Sequence, residues 1–70
     1  MIDYKYIGQR IKEKRKSLNL TQLELSEISQ ISPAYISRIE AGLQNVTLET
    51  LEKVAQSIDE DTVYLITGIK

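Results

Sequence analysis

Two helix starts stand close together in this chain, at Thr21 and Ser32, and their spacing limits the fold more than any other feature. The Thr21 hydroxyl can accept from the free amides of a first turn, and Glu24, three residues on, completes a capping box. Ser32 is a second cap, with Pro33 at the first helical position, where a missing N–H costs nothing and the fixed φ helps. Only "QIS" lies between the two helices these caps open. A connection that short is a tight turn, and it sets two short helices steeply across each other.

The rest of the chain reads the same way. Apolar residues recur at helical spacing, and no stretch alternates with period two. The expectation is an all-α, compact five-helix domain over residues 1–70, with helices at about 6–17, 21–29, 32–41, 47–58 and 62–67. In the first, Ile7, Ile11 and Leu18 face inward, and Asn19 ends it, since asparagine tolerates a left-handed backbone. Leu25 points to the core from the second, beside Ser26, small enough for close helix contact. Ile36 and Ile39 form the inner stripe of the third, which Gly42 terminates. Thr47 caps the fourth, whose apolar face is Leu48, Leu51, Val54, Ala55 and Ile58. "DED" at 59–61 is a turn plus a cap for the short fifth helix, with Gly68 after it.

Composition narrows the function classes. Seventy residues make one small domain with a thin stability margin, so pairing with a second copy is the obvious way to bury more surface. There is no cysteine and no histidine. That leaves no disulfide, no thiolate metal site and no histidine-based triad; with no phosphate-cradling glycine loop either, an enzyme is not expected, nor a metal or cofactor. "MIDYKYIGQR" has no apolar core of signal-peptide type, and "VYLI" at 63–66 is far too short to span a bilayer. A cytoplasmic location is expected. The net charge of −1 argues mildly against nucleic acid, but the charge is uneven: residues 1–40 sum to +2 and residues 41–70 to −3. "RIKEKRK" at 10–16 holds most of the cations; Lys12, Lys14 and Lys16 read as solvated charge that can steer an anion at long range.

"TQLELS", then "ISPAYISRIEAG", then "TLETLEKVAQSI", in that order and at that spacing, resembles the Cro and repressor-type, or XRE-like, helix-turn-helix domain. The resemblance covers about residues 6–66. It implies a domain that binds operator DNA as a two-fold homodimer, with its third helix entering the major groove by its N-terminal end. Double-stranded DNA and a second copy are then the expected partners, with no small-molecule ligand and no membrane.

On this sequence the base-contacting set is Pro33, Ala34, Ser37 and Arg38, with Pro33 giving shape because it has no backbone N–H. Arg38 is the best base reader, since its planar fork can donate twice to guanine O6 and N7; the other reading is a surface arginine paired with a carboxylate. Ala34 suits a thymine methyl, or simply favours the helix. The backbone-contacting set is Gln22, Ser32, Tyr35, Gln44 and Asn45. Gln22 stands at a positive helix end, and in the family the matching residue contacts the DNA backbone. Tyr35 reads equally well as a half-buried structural ring, and Gln44 and Asn45 as plain turn formers. Arg15 and Glu40 match a family ion pair tying the first helix to the third.

Three departures stand out. Gln30 replaces the turn glycine, which predicts a reshaped turn; Val46 replaces a proline; and the chain is less basic than most of the family. The acidic balance predicts modest non-specific affinity and tight binding only as a dimer. The tail "TVYLITGIK" has more apolar residues than one short helix can bury, and in the family the end of the fourth helix and the fifth helix often meet the two-fold mate. The resemblance thus implies a dimer interface at Ile58, Val63, Tyr64, Ile66 and Ile69, the other reading being that Leu65 and Ile66 cap the core and the rest frays. The alternative role for this fold is an antitoxin or a protein-interaction module.

Overall fold

A computed structural model describes residues 2–70. All regular structure among them is helical: α1 Tyr4–Ser17, α2 Gln22–Ser29, α3 Pro33–Glu40, α4 Leu48–Ser57 and α5 Thr62–Thr67. Each helix opens on a side chain that accepts from a first-turn amide: Asp3, Thr21, Ser32, Thr47 and Asp61. Each such cap contributes about 1 kcal/mol. Thr21 and Glu24 form the reciprocal box, with Thr21 Oγ1 accepting from the Glu24 N–H at 3.0 Å and Glu24 Oε1 from the Thr21 N–H at 2.9 Å. The Asp3 cap starts α1 at Tyr4, ahead of the expected start at residue 6.

The helix ends are as sharply marked. Asn19, Gln30, Gly42, Asp59 and Gly68 all take positive φ, so the chain reverses directly after each helix. Gln30 corrects the expectation of a reshaped turn, for it adopts the left-handed geometry of a glycine at φ 61°, ψ 32°. Its own Nε2 donates to the Glu27 carbonyl at 2.8 Å, and the Ile31 N–H donates to the Ser26 carbonyl at 3.2 Å. Those bonds offset part of the ~1–2 kcal/mol that an L-residue costs in this region. Val46, in place of proline, is half-buried and packs on the core.

The core draws on every helix: Ile7 and Ile11, Leu25, Ile36 and Ile39, Leu51, Val54 and Ala55, and Leu65, with Ile58 just past α4. α1 lies against α3 and α5, α2 against α3 and α4, and α4 against α5. Two expected core residues fall outside. Leu18 is 42% exposed because it caps α1 just beyond the last turn, where the backbone swings away. Leu48 is 59% exposed because the first residue of α4 projects past the end of the packed stripe. It borders a shallow apolar cleft with Ile2, Tyr4 and Ile66 instead.

Gly8 sets the approach of α1 to α3. A Cβ at this position would collide with the Ile39 carbonyl oxygen and come within 2.9 Å of the Glu40 carbonyl oxygen. Neither is a flexible side chain that can swing aside, so any other residue at 8 forces the two helices apart. A glycine inside a helix otherwise costs about 1 kcal/mol, and the close crossing is what it makes possible.

Candidate nucleic-acid interface

α3 is fixed from beneath before its outer edge matters. Ile36 and Ile39 are each 1% exposed, and Glu40 is buried beside them. Glu40 meets Arg15 of α1 as a fork: Arg15 Nε donates to Oε2 at 2.7 Å and an η nitrogen donates to Oε1 at 2.9 Å. The remaining η nitrogen of Arg15 donates to the Leu20 carbonyl in the α1–α2 turn at 2.7 Å. Gln22, first residue of α2, adds a third donor to Glu40, Nε2 to Oε1 at 3.1 Å. One carboxylate thus joins α1, α2 and α3. The direct bond from Arg15 to Glu40 holds the guanidinium above its ordinary pKa, outweighing the opposing pull of burial. No buried side-chain nitrogen or oxygen among the described residues lacks a partner, so the cluster is fully satisfied.

With the inner flank held, the outer edge of α3 is presented to solvent. Pro33, Ala34, Ser37 and Arg38 are all exposed. Ala34 lies three residues before Ser37 and four before Arg38, so the three share one face. Ser32 is exposed and caps the helix, its Oγ accepting from the Tyr35 N–H at 3.2 Å. Tyr35 is half-buried against the core, with its ring committed to packing. Asn45 is exposed in the following loop, whereas Gln44 is half-buried and accepts from Arg38 Nε at 3.1 Å. Arg38 has no carboxylate partner within ion-pair distance among the described residues.

This layout is two capped helices joined by a tight left-handed turn, the second offering a small-residue edge with one guanidinium that no carboxylate among the described residues neutralises. A family model described as "Helix-turn-helix" matches residues 11–65, most of the chain. The chain belongs to this repressor-type helix-turn-helix family. Over 52 residues it is 44% identical to the immunity repressor protein of Bacillus phage phi105, covering 74% of this chain and 36% of the repressor. Its fold is similar to that of the restriction–modification controller protein C.AhdI from Aeromonas hydrophila, with a TM-score of 0.87, 31% identity and coverage of 91% and 97% of the two chains. It is also similar to SinR, the master regulator for biofilm formation solved in complex with DNA, with a TM-score of 0.80, 40% identity and coverage of 84% and 95%. The chain spans well under two thirds of the length of two of these curated relatives, 36% of the phage repressor and 49% of SinR from Bacillus subtilis.

The second face of this helix-turn-helix protein is formed by α5 and the residues after it. Val63 is 59% and Ile69 73% exposed, while Tyr64 and Ile66 are half-buried. Ile58 is a correction: at 0% exposure it belongs wholly to the core and has no surface to offer a partner. It ends the apolar stripe of α4 as that helix's C-cap, and the turn folds it inward. An η nitrogen of Arg10 holds α5 from α1 by donating to the Leu65 and Ile66 carbonyls at 2.9 and 3.2 Å. That bond joins residues far apart in sequence, and nothing local to Arg10 signals it. Gly8 did carry a signal, as a glycine standing inside a strong helix pattern. Among the described residues, no helix is long and apolar enough to cross a membrane.

Proposed function

We propose that this protein is a sequence-specific, double-stranded DNA-binding transcriptional regulator that acts as a homodimer on a two-fold operator. The observation that carries the reading is the exposed edge Ala34, Ser37 and Arg38 on a helix whose opposite side is locked by the core and by Glu40. In this role Arg38 reads a guanine, Ala34 packs on a thymine methyl and Ser37 bonds to a base edge or a phosphate. Pro33 shapes the approach. Ser32, Asn45 and the free N–H of the Gln22 amide are the backbone contacts, with Gln22 held in place by Glu40. Tyr35 supports the helix from its packed position.

Residues 1–70 act as one domain in this reading, and Val63, Tyr64, Ile66 and Ile69 form the surface between copies. The molecule measures 29 × 22 × 18 Å, so two copies fit side by side on sites ~34 Å apart, one turn of duplex. Such a regulator works in the cytoplasm, has no catalytic step and needs no cofactor. The relatives support the reading through their names as an immunity repressor and a transcriptional regulator.

The net charge of −1 favours a second reading, an antitoxin or protein-interaction module on the same fold. Salt separates the two. Binding to a mixed-sequence duplex, followed by fluorescence anisotropy, should weaken about tenfold or more between about 50 and 200 mM salt as condensed counterions compete. No binding to duplex at the lower salt would favour the protein-interaction module.

A further inference from the structure

We propose that Gln44 is a positioning residue for Arg38: it orients the guanidinium for base reading and does not itself hold the DNA backbone. The inference rests on the reading of α3 given above. Its origin lies in how α3 ends. Gly42, at φ +75°, lets the chain turn back so that its own N–H reaches the Ile39 carbonyl at 3.1 Å and the Leu43 N–H reaches the Arg38 carbonyl at 3.0 Å. This paired closure is a backbone device for reversing the chain over the last turn. It returns the loop beside Arg38 and delivers the Gln44 amide oxygen to Arg38 Nε at 3.1 Å.

The choice of donor atom matters. An arginine has five N–H groups in a flat fork, and bidentate recognition of guanine needs two parallel ones. Tying down Nε fixes the plane of the fork and leaves both terminal nitrogens free of any carboxylate partner among the described residues. A long side chain ordered before binding also loses less freedom on binding. The acceptor is a neutral amide. A carboxylate at position 44 could accept the same bond, but it would offset the charge of Arg38 and repel the phosphates. Gln44 is half-buried, although its bond to Arg38 lies at the surface.

The test is a double-mutant cycle on the full chain: wild type, Gln44→Ala, Arg38→Ala and the double variant. Each is titrated by fluorescence anisotropy against a duplex that the wild-type chain enriches from a random pool, and against single-base variants of it. Gln44→Ala is expected to weaken binding to the enriched duplex about three- to tenfold. The loss should fall at the same base pair whose preference Arg38→Ala erases, and Gln44→Ala should change nothing further in the Arg38→Ala background. Gln44→Glu should weaken every duplex, by charge. Thermal melts of Gln44→Ala should match wild type, because the residue lies in a loop outside the core. The proposal is overturned if Gln44→Ala weakens all duplexes alike in both backgrounds, which would make it a phosphate contact, or has no effect. If Arg38→Ala itself leaves base preference untouched, the reading of α3 falls first, and this one with it.

Discussion

Arg15→Ala and Glu40→Ala are each expected to lose roughly 3–5 kcal/mol of folding stability, because each leaves a buried charge without its partner. The pair is inside the protein, with side-chain exposures of 8% and 2%. A chain of 70 residues has a total stability of only roughly 3.5–10 kcal/mol, so either substitution removes much of it. Glu40→Ala is the more damaging. It orphans the Arg15 fork and the Gln22 amide together, and it unties the start of α2 from α3. The large loss comes from removing one partner alone, so replacing both with apolar side chains of similar volume, as in Arg15→Met with Glu40→Leu, should restore most of the stability. Urea denaturation followed by circular dichroism measures all three variants. A loss under about 1 kcal/mol for Glu40→Ala would mean the pair is solvated and not a tie between helices.

Arg38→Ala is expected to cost about 1–3 kcal/mol of binding to the preferred duplex, roughly five- to 150-fold in affinity, and to relax preference at one position in each half-site. Folding should be untouched, since Arg38 is exposed and, among the described residues, its one bonded side chain is Gln44 in a loop. Gln22→Ala makes the contrast. In the proposed reading its contact is with the DNA backbone, so all sequences should weaken alike. Anisotropy titrations against the preferred duplex and its single-base variants measure both effects. Unchanged discrimination with Arg38→Ala would remove Arg38 from the reading edge.

Much of the fold was legible because its determinants are local. A cap needs one side chain and the amides beside it, so Thr21, Ser32 and Thr47 could be placed without any knowledge of packing. The outward position of Ala34, Ser37 and Arg38 followed from helical spacing against Ile36 and Ile39. The misplacements share a cause. Periodicity gives the direction of a stripe but not where its partner helix ends, so Leu18 and Leu48 run past the core; Ile58 lies in the core, where its spacing put it, and only its assignment to the dimer surface fails. Gln30 holds a glycine's backbone geometry because its side chain bonds back to α2, a compensation that composition does not announce. Long-range polar contacts were the least legible. Arg10 to the end of α5 and Gln22 to Glu40 both depend on docking geometry that no local pattern encodes.

In the proposed reading the leading edge of α3 reads bases, and two copies do so together. Selection of bound duplexes from a fully random pool, with sequencing of what survives, tests it most directly. The expected result is an enriched inverted repeat whose half-sites lie about 10 base pairs apart, each with a guanine that Arg38→Ala no longer selects. A pool that emerges as random as it entered, from protein that melts as a folded domain, would contradict it.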